Sequence, residues 1–186
     1  MWRGIVAKNF TPAEFDAYCR KLRWKVWKPE FVVLHNTAGP TLAQRPNGFS
    51  ESAMRNLEVY YRDRQKWSAG PHLFIDDKPA GIWIFTPLEV PGVHSPSWNN
   101  VALGVEMLGD YSTESFTDGR GRKVRENTVA AIATLSDCLN LQSSSLRLHR
   151  EDLKTTHNCP GKNVNKEQVI AEVRGAILAL REARQA

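Results

Sequence analysis

Apolar residues recur at the spacing of an amphipathic helix in four stretches of the chain, residues 11–22, 50–65, 126–139 and 165–184. The first stretch begins with Thr11, a helix-capping residue type, and Pro12, which fits a first helical turn. The last stretch has the longest apolar stripe, formed by Val169, Ile170, Val173, Ile177 and Leu180. The pattern therefore predicts helices that each bury one face.

Five shorter stretches combine β-branched and apolar residues and predict strands: residues 31–35, 72–76, 81–85, 103–108 and 146–149. Turn-forming residues 77–81 join the second stretch to the third, which predicts a hairpin. The order of helices and strands predicts an α/β fold, a single domain with a central mixed β-sheet flanked by helices. We expect residues 1–30 to form an N-terminal helical extension that packs on a domain of residues 31–186.

Composition supports one folded domain. The chain has 186 residues, of which 41% are hydrophobic and 24% charged, and this excludes a disordered or collagen-like protein. No stretch approaches the ~20 apolar residues that span a bilayer, and the N-terminus lacks the apolar segment of a secretory signal. We therefore expect a chain that is cytoplasmic as synthesised, without a signal peptide or transmembrane segment. Three cysteines with wide spacing do not predict a disulfide framework.

The net charge of +5 favours polyanionic neighbours through long-range attraction. The basic residues are nevertheless scattered and form no uninterrupted run, which is typical of a solvated basic surface. The sequence also has no helix-turn-helix or base-stacking pattern. We therefore expect no specific nucleic-acid partner.

Candidate metal ligands lie near the end of the chain, where His149 and Cys159 flank a loop that ends in Pro160 and Gly161. Imidazole and thiolate both bind zinc, and a zinc ion that performs chemistry takes three protein ligands and a water. His35 is the best candidate for the third ligand, because neighbouring strands would place it beside His149. The spacing leaves one alternative open, in which these are unrelated polar groups with local hydrogen bonds.

Five motifs, in this order along the chain, resemble those of the zinc-dependent N-acetylmuramoyl-L-alanine amidases. Phage endolysin amidases, muropeptide-recycling amidases and peptidoglycan recognition proteins share the fold of this family. The motifs are residues 32–38 (VVLHNTA), 70–76 (GPHLFID), 94–99 (HSPSWN), 103–109 (LGVEMLG) and 149–161 (HREDLKTTHNCPG). The resemblance implies a peptidoglycan-recognition-protein-like amidase fold, with residues 31–186 as the zinc amidase domain.

The resemblance also implies roles for residues at the matching positions. It implies the zinc ligands His35, His149 and Cys159, the catalytic residues Glu106 and His157, and the substrate-binding residues His72, His94 and Asn99. Pro71 stands where several endolysin amidases have a tyrosine that assists catalysis, so acid–base work would fall to Glu106 and His157. Trp83 and Trp98 could either stack on substrate or pack in the core.

The implied reaction is hydrolysis of the amide bond between N-acetylmuramic acid and L-alanine of the stem peptide, with Zn²⁺ as cofactor. The expected partner is peptidoglycan or a muropeptide, and we expect a monomer. The absence of a signal fits a phage or prophage endolysin that acts on the cell wall after release, which is the function we expect. It also fits a cytoplasmic muropeptide-recycling amidase. A non-catalytic peptidoglycan-binding module is a further alternative, although the presence of all three ligand-type residues argues against it.

Overall fold

A computed structural model describes residues 1–185 and contains one mixed sheet within them. Its strands are β1 (Lys8–Phe10), β2 (Phe31–Asn36), β3 (Leu73–Ile75), β4 (Ile82–Ile84), β5 (Ala102–Met107) and β6 (Arg147–Leu148). They lie in the order β1-β4-β3-β5-β2-β6. The strands β3, β5, β2 and β6 are parallel, whereas β4 is antiparallel to both β1 and β3. The carboxyl ends of the four parallel strands therefore share one edge of the sheet.

Helices cover this sheet: α1 (Pro12–Cys19), α2 (Glu51–Val59), α3 (Gly119–Leu139) and α4 (Lys166–Ala183). The side chains of Thr11, Ser50 and Asn165 accept backbone hydrogen bonds in the first turns of α1, α2 and α4, which fixes where these helices begin. α2 continues into a π-helical turn, residues Tyr60–Arg64. α3 packs against α1, α4 and the strands β3, β4 and β5. No helix among residues 1–185 has the length and apolar character needed to cross a membrane.

The core lies between the sheet and the helices. Strands β3 and β4 are buried along their whole length, and β5 is buried except at Glu106. Strands covered on both sides need apolar residues at consecutive positions, which explains the runs LFI and IWI in the sequence. The apolar stripe of α4 begins with the buried residues Val169, Ile170 and Val173.

The predicted α/β fold with a central mixed sheet is confirmed, and two elements differ from the sequence-based expectation. Residues 1–30 supply the expected helix α1, but they also supply β1, which pairs with β4 and extends the sheet. The sequence did not predict β1, because its three residues are too few to show an alternation of apolar and polar positions. α3 begins at Gly119 rather than near residue 126, because its first two turns are mostly polar and have no apolar stripe to indicate a helix.

Candidate metal centre

Two neighbouring strands bring the first pair of candidate ligands together. Leu34 of β2 is in register with Leu148 of β6, so His35 and His149 come next at the same edge of the sheet. Their ring centroids are 4.4 Å apart. The chain then makes a 3₁₀ turn and a loop, and Arg150 N donates to the Cys159 carbonyl at 2.8 Å. This bond returns Cys159 to the sheet edge.

The three side chains can converge on one cation. One ligand atom from each of His35, His149 and Cys159 lies within 4.8 Å of the other two. His149 Nε2 is buried and has no hydrogen-bond partner among residues 1–185, which is the state expected of a nitrogen that binds a metal. Two imidazole nitrogens and one sulfur suit zinc in a site that leaves one position open. The donor set therefore fits a catalytic zinc ion.

Hydrogen bonds select the ring nitrogen of His35 that faces the centre. His94 Nε2 lies 3.0 Å from the Ala102 carbonyl, which can only accept, so this nitrogen carries the proton. His94 Nδ1 is then an acceptor for His35 Nε2–H at 3.1 Å. His35 Nδ1 keeps its lone pair and lies 3.9 Å from Cys159 Sγ. Burial, reinforced by His94 and His149, holds the pKa of His35 well below its usual range, so the imidazole is neutral.

His94 borders the cleft, but both of its ring nitrogens are already occupied by His35 and Ala102. Gly104 makes room for the ring, because a Cβ there would lie 2.4 Å from His94 Cγ. Such a bond from a ligating histidine to an outer acceptor fixes the orientation of the ligand. The side chain of His94 is therefore placed to position His35, and its contact with substrate stays a prediction.

The structure does not place His72 in the cleft, which corrects the expected role in substrate binding. His72 has no exposed surface. Its Nδ1 accepts from Gly104 N at 2.9 Å and its Nε2 donates to the Val90 carbonyl at 3.0 Å. Trp27 stacks on the ring at a centroid distance of 5.4 Å. His72 thus links β5 to the loop after β4.

Glu106 lies beside the candidate ligands, because it is in register with His35 on the adjacent parallel strand. Residues in register on parallel strands point to the same face of the sheet. Glu106 and the three ligands line one cavity of about 380 Å³. Burial raises the pKa of Glu106 to about 8 in the absence of a metal ion.

His157 and Asn99 also lie at this cleft. His157 is exposed, and its ring is 6.4 Å from that of His149. Two more cavities, of about 520 Å³ and 500 Å³, adjoin the first, and His157 lines all three. Asn99 lines the 520 Å³ cavity. Its Oδ1 accepts from His94 N at 2.7 Å and from Ser95 N at 2.8 Å, so only its amide nitrogen is available to a substrate.

Two aromatic residues of the cleft were missed by the sequence analysis. Trp67 is 37% exposed, lines all three cavities and stacks on Tyr61 at 5.0 Å and 7°. Tyr61 lies in the π-helical turn and lines two of the cavities. Gly70 leaves room for the ring, because a Cβ there would lie 3.0 Å from Tyr61 Cδ2. Trp83, in contrast, is 7% exposed and belongs to the core.

A buried carboxylate joins the two loops that carry the site. Asp152 is 1% exposed and accepts four hydrogen bonds. Ser95 Oγ and Ser97 Oγ donate at 2.6 Å, and the backbone N–H groups of Ser97 and Lys154 donate at 3.0 Å. Burial alone would raise the pKa of Asp152, but these donors hold it well below its usual range. Asp152 therefore ties the loop of His94 and Asn99 to the loop of His149 and Cys159.

The loop that carries His149 and Cys159, the ligand loop, ends at Gly161, two residues after Cys159. The φ of +101° at Gly161 lies in the region that favours glycine. A Cβ at this position would lie 2.3 Å from the carbonyl carbon of Tyr111, which is a backbone atom. Only glycine therefore fits at the point where the ligand loop crosses residue 111.

Most of the chain matches one protein family. The N-acetylmuramoyl-L-alanine amidase family matches residues 25–162. Peptidoglycan-recognition protein SC2 of Drosophila simulans is 25% identical over 141 residues, which cover 74% of this chain and 71% of that protein.

Solved structures show the same fold. The endolysin N-acetylmuramoyl-L-alanine amidase LysCS from Clostridium intestinale superposes with a TM-score of 0.61 and 22% identity, over 80% of this chain and 85% of that one. Wild-type Drosophila PGRP-LB superposes with a TM-score of 0.59 and 18% identity, over 93% of this chain and 85% of that one.

Proposed function

We propose, from the premise that this chain belongs to the N-acetylmuramoyl-L-alanine amidase family, that it is a zinc-dependent hydrolase. The bond cleaved would be the amide between N-acetylmuramic acid and L-alanine of the peptidoglycan stem peptide. The observation that supports this most directly is the convergence of His35, His149 and Cys159, with the buried His149 Nε2 lacking a hydrogen-bond partner in the described part of the chain.

The proposed chemistry divides between the metal and the cleft residues. Zinc, held by His35, His149 and Cys159, would polarise the scissile carbonyl and lower the pKa of a bound water to about 7. Glu106, beside His35, would accept a proton from the attacking water and pass it to the departing alanine nitrogen. His157 would donate a hydrogen bond to the carbonyl oxygen as negative charge develops on it.

The remaining cleft residues would hold the substrate. Trp67 offers an exposed indole face that Tyr61 supports from behind, a suitable surface for the apolar face of a sugar ring. The free amide N–H groups of Asn99 are hydrogen-bond donors, so Asn99 would bind a carbonyl oxygen of the stem peptide or of an acetamido group. Because His94 is occupied by His35 and Ala102, we assign it to positioning the ligand.

Metal analysis combined with peptide release from purified sacculi tests this proposal. Wild-type protein should contain one zinc per chain and release stem peptides. Cys159→Ala should lose both zinc and turnover, whereas Cys138→Ala, which changes a cysteine outside the cleft, should keep both. Glu106→Gln should retain zinc and lose about 10²–10⁴ in rate. Full zinc in Cys159→Ala would remove this residue from the ligand set.

The curated relatives are recognition proteins, which keeps a peptidoglycan-binding module as the second candidate. Binding of sacculi without release of peptide by zinc-loaded protein would favour that module. For an amidase, a phage or prophage endolysin is the function we favour, and a cytoplasmic recycling enzyme is the alternative. Turnover on intact sacculi should exceed turnover on soluble muropeptides for the endolysin, and the reverse should hold for the recycling enzyme.

A further inference from the structure

The connection between α1 and β2 contains a segment that the proposed reaction does not use. We name residues 20–28 (RKLRWKVWK) the basic strap. It holds five basic residues and no acidic residue, in a chain whose net charge is +5. Its apolar residues Leu22, Trp24, Val26 and Trp27 lie between the basic ones. This composition combines cations with apolar side chains in one short segment.

Most apolar residues of the basic strap face the protein. Leu22, Trp24 and Trp27 are partly buried and pack against the core. Trp27 stacks on His72, and its Nε1 donates to the Asn100 carbonyl at 2.7 Å. These contacts fasten the strap to His72 and to the loop before β5.

The basic residues of the strap face solvent. Lys21, Arg23, Lys25 and Lys28 are exposed, and none forms a salt bridge with another residue of the range 1–185. Only Arg20 is paired, with Asp16 at 2.7 Å and Asp137 at 3.0 Å. Glu89 accepts a hydrogen bond from the backbone N–H of Arg23 at 3.1 Å, not from its guanidinium. Four exposed cations of the strap thus form no ion pair within residues 1–185.

Val26 breaks the inward pattern, since its side chain is 94% exposed between Lys25 and Trp27. In water an exposed aliphatic side chain gains nothing, but it gains free energy when it enters an apolar interface. A soluble polyanion would require only the cations. Cations with an outward apolar residue are instead the combination that binds the headgroup region of anionic membranes.

We propose that the basic strap binds the surface of an anionic phospholipid bilayer. Lys21, Arg23, Lys25 and Lys28 contact the headgroups, and Val26 enters the boundary between headgroups and acyl chains. None of the residues 20–28 lines the three cavities of the cleft, so the protein rests on a membrane through this surface without using the residues of the metal centre. This inference does not depend on the proposed hydrolysis.

Co-sedimentation of the full chain with vesicles tests the proposal. We expect binding to vesicles of mixed phosphatidylcholine and phosphatidylglycerol, weakening as salt rises, and little binding to phosphatidylcholine alone. Each basic residue near an anionic bilayer contributes about fivefold to partitioning, so replacing all four with Gln should reduce it by at least about 100-fold. A matched control replaces four other exposed basic residues with Gln: Arg64, Lys123, Lys162 and Arg174.

The control should lose much less binding than the strap variant, although both lose the same charge. Val26→Ser, which leaves the charge unchanged, should lower partitioning by about tenfold. Equal losses in the two charge variants would overturn the proposal, because binding would then follow net charge alone. Unchanged binding of Val26→Ser would also overturn it in favour of a polyanion surface. Thermal unfolding of each variant checks that the fold is intact.

Discussion

Removal of the Asp152 carboxylate should separate the two loops that form the site. Asp152→Ala leaves four donors without an acceptor, two of which are backbone N–H groups, of Ser97 and Lys154. Each hydrogen bond to a charged group contributes about 1.5–3 kcal/mol, but bonds to one carboxylate are not additive. We expect a loss of about 3–5 kcal/mol in the free energy of unfolding, with weaker zinc binding by the displaced loop of His149 and Cys159.

Asp152→Asn provides the graded comparison. Its amide oxygen can still accept from Ser97 Oγ and Lys154 N, and its NH₂ group can donate to Ser95 Oγ. The Ser97 N–H, however, would then meet a donor instead of an acceptor. We expect a loss of about 1–3 kcal/mol, smaller than that of the alanine variant.

The loss of unfolding free energy in Asp152→Asn should depend on pH, in a direction set by the pKa of Asp152. The folded state lowers the pKa of Asp152, so its contribution is fully present above the unfolded pKa, about 3.9, and disappears as pH falls towards the lower folded value. The stability difference between wild type and Asp152→Asn should be constant from about pH 5 to pH 8 and shrink below about pH 4.

Urea unfolding across this pH range, together with zinc titration at neutral pH, measures both effects. Ser144→Ala, which changes an exposed serine outside the network, is the control and should behave as wild type. A loss below about 1 kcal/mol for Asp152→Ala, with unchanged zinc affinity, would refute the reasoning. It would mean that the two loops keep their positions without this carboxylate.

Other perturbations have equally definite outcomes. Gly161→Ala should cost about 2–5 kcal/mol in chemical unfolding through left-handed strain and the clash with Tyr111, whereas Gly175→Ala, with open space around it, should be neutral or stabilising. Burial would raise the pKa of Asp137, but its hydrogen bonds with three arginines lower it to about 2. Asp137→Asn should therefore be less stable to heat than wild type at pH 7, and this difference in stability should disappear between about pH 4 and pH 2. A loss that persists at low pH would contradict the assignment. Chelation of metal should lower the thermal midpoint of wild type and leave that of Cys159→Ala unchanged. If zinc was present at 100 times its dissociation constant, its removal costs wild type about 2.7 kcal/mol in the free energy of unfolding.

The sequence predicted the candidate ligands because they lie next to strong local signals. His35 ends an apolar strand and His149 ends another, so adjacent placement of those strands was sufficient to bring the imidazoles together. Cys159 carries a turn-forming Pro-Gly pair after it. Glu106 was singled out by the resemblance to the amidase family, and the register of β5 with β2 is what places it beside His35.

Other features depend on contacts that local patterns do not encode. His72 ends up buried because Gly104 N and the Val90 carbonyl occupy its ring nitrogens, and both partners are distant in sequence. Tyr61 faces the cleft through a π-helical turn, which shifts the helical register by one residue and conceals its orientation from a periodicity of 3.6. Trp67 looked like any of six tryptophans until the structure placed it among the cavities.

The two outer strands of the sheet also affect how the molecule behaves at high concentration. β1 has three residues and β6 has two, so each border offers few free backbone groups to a neighbouring chain. Each also carries an exposed cation, Lys8 or Arg147, lying over an aromatic ring of its own sheet at 5.2 Å or 6.0 Å. Short, positively charged edge strands of this kind discourage pairing with the edge strands of other molecules, which is a route to aggregation. The protein can therefore reach a high concentration without its buried, apolar sheet pairing edge to edge with the sheet of a neighbouring molecule.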